Sequence, residues 1–125
     1  MIQFQPTEAF TLLGNGSKAN TTAATGTGIT FQGYTGDIMV TQAVGAITGT
    51  LDGVVQWCSD SAGTGAVTVG TFTQVTTAND DPNLQKLTVP LSSMPAGKPF
   101  LRYLGTIVTG PSVVTVVAHA IAEDR

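Results

Sequence analysis

From Ile29 to Ile121, apolar residues fall on every second position in short runs, and Gly, Pro, Asn or Asp closes almost every run. A period of two is the repeat of a strand with one buried face, and the punctuating residues supply turn geometry. Ile29-Thr30-Phe31 is the first run, with Gly33-Tyr34-Thr35-Gly36 as its turn. Ile38, Val40, Val44 and Ala46 share parity within Asp37–Thr50. Leu51-Asp52-Gly53 then carries an Asp-Gly hairpin signal, and Val54–Ser59 runs back. Val67, Val69, Thr71, Thr73 and Val75 mark the next strand, and Leu87, Val89 and Leu91 alternate with Lys86, Thr88 and Pro90. Phe100–Thr109, a turn at Gly110-Pro111 and a last strand over Val113–Ile121 complete the series. No window of a dozen residues repeats every 3.6 positions, so no long helix is expected. The spacing predicts an all-β fold: an antiparallel β-sandwich or jelly roll of seven or eight strands.

The first 28 residues do not fit this pattern. Phe4, Phe10, Leu12 and Leu13 lie in a stretch too short to bury a core, and Gly14 to Gly28 is nearly all Gly, Ser, Thr, Ala and Asn. Such a composition predicts a loop or flexible linker. Residues 1–28 are therefore read as an N-terminal arm, with one or two short strands within 1–13, and its linker, and 29–125 as the sandwich domain.

Charge narrows the function. Only 10% of the 125 residues are charged, against about 25% in an ordinary soluble domain. A surface this poor in charge predicts extensive contact with other protein. The net charge is −3, and Lys18, Lys86, Lys98, Arg102 and Arg125 are scattered. Nucleic-acid binding needs clustered cations, so no nucleic-acid partner is expected. An anionic membrane surface is excluded on the same ground, and no apolar stretch approaches the ~18 residues of a membrane helix. Met1 to Pro6 shows neither a basic nor an apolar leader region, so synthesis in the cytoplasm is expected. Asn15-Gly16-Ser17 and Asn20-Thr21-Thr22 are accordingly read as chance sequons. Cys58 is the one cysteine, which rules out an intramolecular disulfide.

Catalytic chemistry finds little to work with. His119, the one histidine, sits among Val and Ala in a strand, and Cys58 follows Trp57 in another. No activating sequence surrounds either, so a Cys58–His119 nucleophilic pair is not expected. Asn79, Asp81 and Asn83 alternate oxygen ligands as a calcium loop begins, but the Gly and the bidentate Glu of such a loop are missing. A polar turn whose side chains bond their own backbone is the alternative. Gly63-Thr64-Gly65 lacks the Lys and the strand-to-helix context of a phosphate loop. Arg102, between apolar neighbours, is either paired with Asp52 or Asp60 or faces water. No catalytic, metal or cofactor residue is assigned, and no cofactor is expected.

Interface residues are easier to nominate. Val113, Val114, Val116, Val117, Ala118, Ala120 and Ile121 put apolar groups on both faces of the last strand. An antiparallel sandwich normally turns one face to water, so this strand is either covered on both sides by its own chain or meets another subunit. Val114 and Val116 are nominated with Trp57, which is either a core anchor or an interface hot spot. From the arm, Phe4, Phe10, Leu12 and Leu13 are added, as groups that would order on docking.

The run Val44-Gly45-Ala46-Ile47-Thr48-Gly49-Thr50-Leu51-Asp52-Gly53, with Ser59-Asp60-Ser61, Phe72-Thr73-Gln74-Val75 and Phe100-Leu101-Arg102-Tyr103-Leu104-Gly105-Thr106, resembles small virion structural proteins of tailed bacteriophages. The likeness spans about residues 37–121 and leaves the arm unmatched. It implies a jelly-roll capsid decoration, or cement, protein without enzymatic activity, bridging subunits of the major capsid protein on the capsid exterior. It also implies a homo-oligomer, with a trimer favoured. Two other readings stay open. One is a tail, fibre or head–tail component; the other is a carbohydrate-binding jelly-roll module, for which Tyr34 is the one clear turn aromatic.

Overall fold

The computed structural model describes residues 7–122. Its strands are β1 (Thr7–Lys18), β2 (Ile29–Thr30), β3 (Tyr34–Ile47), β4 (Thr50–Cys58), β5 (Val67–Thr71), β6 (Asn83–Pro90), β7 (Phe100–Val108) and β8 (Ser112–Ala122), with a 3-10 turn at Leu91–Ser93. They form two four-stranded antiparallel sheets, β1-β8-β3-β6 and β2-β7-β4-β5. The pairs β1–β8, β2–β7, β3–β6 and β4–β5 are those of one long antiparallel ribbon, folded at β4–β5 and rolled into two layers. That winding is a jelly roll, so the fold expected from the alternation is the fold found.

Alternation decides what lies between the layers. Ile38, Val40, Gln42 and Val44 of β3, and Val114, Val116, Ala118 and Ala120 of β8, face inward from one sheet. Leu51, Gly53, Val55 and Trp57 of β4, and Leu101, Tyr103 and Gly105 of β7, face them from the other. Gln42 is fully buried, and the Tyr103 hydroxyl donates to its Oε1 across the core at 2.5 Å. Burial pushes the Tyr103 phenol well above its ordinary range, so it stays a neutral donor.

Two sequence expectations change. Asp52-Gly53 is not a hairpin: β4 runs unbroken through it, and the chain reverses at Thr48-Gly49 on passing from one sheet to the other. Gly53 serves packing, because a Cβ there would stand 2.1 Å from Gln42 Oε1 and 2.5 Å from the Tyr103 hydroxyl.

The second change concerns the arm. Residues 7–18 are β1, an edge strand of the sandwich that pairs with β8 from Thr7↔Ile121 to Lys18↔Ser112. Register shifts between Thr11 and Leu13 and between Leu13 and Gly16 bend the strand. Leu12 and Leu13, neighbours in sequence, are consequently both buried in the core. The Gly/Thr-rich segment that follows is fastened along β7: Gly26 N–H donates to the Tyr103 carbonyl at 2.9 Å, and Gly105 N–H to the Ala24 carbonyl at 3.1 Å. A Cβ on Gly26 would fall 1.8 Å from the Leu12 carbonyl oxygen, so the glycine permits a close crossing.

Candidate interaction face

The β1-β8-β3-β6 sheet has a second face, pointing away from the core. Its register sets Ala9, His119, Met39 and Thr88 side by side at one level, and Thr11, Val117, Thr41 and Lys86 at the next. Thr115, Ala43 and Leu84 form a third level, with Val113 beyond. Among the described residues no element lies over these side chains. Met39 is 42% exposed, Leu84 64% and Ile121 37%. Two shallow depressions indent the face. One is bordered by Asp37, Met39, Lys86, His119 and Ile121, and the other by Ala43, Leu84, Val113 and Thr115.

β8 accounts for this face. It is central in its sheet, flanked by β1 and β3, with its even-numbered residues in the core. Its odd-numbered residues on the open side include Val113, Val117 and Ile121, where a solvated strand would carry polar groups. The outward side of the other sheet is mixed: on β4 and β7, Asp52, Gln56, Arg102 and Thr106 stand beside Val54, Leu104 and Val108.

The nominated interface residues are distributed differently from expectation. Val114 and Val116 are fully buried, as is Trp57, whose Nε1–H donates to Ser93 Oγ at 3.0 Å. Leu12 and Leu13 join them in the core, so these five are unavailable to a partner in the folded chain. Phe10 is half-buried, edge-on to Phe31 and Tyr34 at 5.1 and 5.3 Å between ring centres. Phe4 lies outside the described residues. What the sequence reading missed is the opposite parity of β8, together with Met39 and Leu84. The signal was present in the doubly apolar last strand, but both parities are apolar, so the pattern alone could not say which pointed inward.

The residues considered for chemistry are kept apart. Cys58 is buried in β4, in one sheet, and His119 is exposed on β8, in the other. Burial pushes the Cys58 thiol up, with partial opposition from the nearby Arg102. Arg102 itself donates to the Ala62 carbonyl. In the Asn79–Asn83 loop, Asn79 Oδ1 accepts from Thr76 N–H at 2.7 Å, and Asp80 Oδ2 accepts from Ile47 N–H at 2.9 Å. Asn79 thus serves the backbone of its own turn, as in the polar-turn alternative, while Asp80 fastens the loop to the end of β3. Among the described residues no three His, Cys, Asp or Glu side chains group closely enough to hold a metal ion. Tyr34 is tied down by donating to Glu8 Oε2 at 2.6 Å.

No protein-family model matches the sequence, and no curated protein sequence is detectably similar to it. Solved structures are similar. A SPBc2 prophage-derived protein, YomS, superposes with a TM-score of 0.61 at 14% identity, covering 98% of both chains. A protein of the Bacillus endospore appendages, described as a family of disulfide-linked pili, gives 0.54 at 11% identity over 98% of this chain and 93% of that one. A chain of the Triatoma virus empty capsid gives 0.46 at 12% identity, over 98% and 90%. What the first two share with this chain is the jelly-roll sandwich.

Proposed function

We propose that this chain is a non-catalytic structural protein of a virus particle, most specifically a decoration or cement protein that joins subunits of the capsid shell from outside. The observation that carries the proposal is the open face of the β1-β8-β3-β6 sheet, where a central strand carries half-buried Val113 and Val117 and exposed Ile121 on the same side as exposed Met39 and Leu84. Burying such a face against neighbouring protein yields roughly 25 cal/mol per Å² of apolar area before the costs of association are subtracted. The fold shared with a prophage-derived protein supports a bacteriophage setting, and the low charge of the whole chain agrees with a life spent in contact with protein. The partners are then the major capsid protein and further copies of this chain. The pilus-like alternative has less support, since the single cysteine, Cys58, is buried and offers no accessible thiol for linking subunits.

Co-sedimentation with particles of the virus that encodes the chain tests this reading. Val117→Asp places a charge on the open face and leaves the core untouched. Wild-type protein is expected to pellet with the particles and saturate. Val117→Asp, with unchanged circular dichroism, is expected to bind about tenfold more weakly or worse, as for an interface hot spot. Equal binding of the two proteins would refute the face's role.

A further inference from the structure

Of the four full charges in these strands, Glu8 and Lys18 of β1 stand opposite Ala120 and Ser112, on the core-facing parity of β8; the open side carries one acid and one base, Asp37 and Lys86, and both border the same depression of about 520 Å³. Asp37 stands opposite Pro90 and Lys86 opposite Thr41, so the two charges lie on either side of the Met39–Thr88 level along the strands. A surface with one charge of each sign, set about a midline, is complementary to itself.

We infer that the open face binds a second copy of this chain, about a two-fold axis that crosses the strands at the Met39–Thr88 level. The inference rests on the proposed role of this face as an interface and names its partner. A two-fold axis lying in a contact sets each point on one side of the midline against the mirrored point of the other copy. Asp37 then faces the Thr41–Lys86 pair of the other copy, and the reverse contact repeats it. The two Met39 side chains meet at the axis, and Val117 lies against the other copy's Ile121. Such an arrangement makes dimers, in place of the trimer expected from the resemblance.

The contact is small. Four strands about 4.8 Å apart, each contributing about six residues at 3.4 Å, cover roughly 400 Å² per copy. The total of about 800 Å² is half the usual size of a stable interface. Association is therefore weak in dilute solution and becomes effective where copies are held close together, as on a shell.

Sedimentation equilibrium at low salt, from micromolar to millimolar chain, tests the inference with Asp37→Lys and Lys86→Asp. Wild type is expected to dimerise reversibly. Each charge reversal sets like charges against each other, so each variant alone is expected to self-associate about tenfold more weakly or worse. An equimolar mixture of the two restores both contacts, because one variant then carries only bases at positions 37 and 86 and the other only acids. The mixture is expected to form one-to-one heterodimers of near wild-type affinity. A wild type that stays monomeric at millimolar concentration overturns the inference. So does a mixture no better than its components, or variants that associate as wild type does. Particle binding by the wild-type chain is a separate readout. A face that binds shells but not its own copy would leave the proposed function standing and remove this inference alone.

Discussion

Gly53→Ala is expected to destabilise the fold by about 2–5 kcal/mol, combining overpacking of a filled core with loss of a buried hydrogen bond. The added methyl carbon would lie 2.1 Å from Gln42 Oε1, 2.5 Å from the Tyr103 hydroxyl and 2.9 Å from that ring. Neither partner has an easy retreat. Gln42 is fully buried with its Nε2 already unpartnered, and Tyr103 is fully buried between the sheets. Separating them would leave two polar groups in the core with no partner at all. Gly14→Ala is the control, because nothing lies within 4 Å of the site, and an exposed substitution of this kind usually changes stability by less than about 0.5 kcal/mol. Urea unfolding followed by circular dichroism checks both. Equal midpoints for Gly53→Ala and Gly14→Ala would mean that the Gln42–Tyr103 bridge is not set as described.

Trp57→Ala is expected to cost about 3–5 kcal/mol, a large share of the 5–15 kcal/mol by which domains are usually stable. The indole is fully buried in β4. Its removal opens a cavity between the sheets and takes from Ser93 Oγ its bond to Nε1–H; that hydroxyl still donates to the Pro90 carbonyl at 2.6 Å. Trp57→Phe, which keeps most of the volume, separates core from interface: it should lower the urea midpoint modestly and leave particle binding unchanged. Because Trp57 is the one tryptophan, its fluorescence should be blue-shifted in the folded chain and shift to the red on unfolding. A native emission at the wavelength of solvated indole would contradict its burial.

How far the fold could be read depends on where the period of two survives. It survives in β6, where Leu87 and Val89 face inward while Lys86 and Thr88 face out, and in β7 and β8, which match their expected spans within one or two residues. It fails in β1, because the register shifts around Leu13 turn two successive leucines inward and erase the alternation that marks a strand. It misleads at Asp52-Gly53, where a dipeptide known for turns is selected by the close approach of Gln42 and Tyr103 from the two sheets. That approach is a tertiary fact with no local signature. The same holds for the segment around Gly26, whose composition reads as linker and whose hydrogen bonds fasten it to β7. The interaction face was half legible. The doubly apolar last strand pointed to it, but Met39 and Leu84 join the face only through the pairing of β3 with β8 and β6.

Hydroxyl-radical footprinting of the chain, dilute and free or bound to particles, addresses the role of the open face most directly. In the free chain Met39 and Leu84 should be oxidised readily, as should Val108, which is 60% exposed at the end of β7 in the other sheet. On the particle, Met39 and Leu84 should be protected while Val108 remains reactive. Unchanged labelling of Met39 and Leu84 on bound protein would contradict the account and move the contact elsewhere on the molecule.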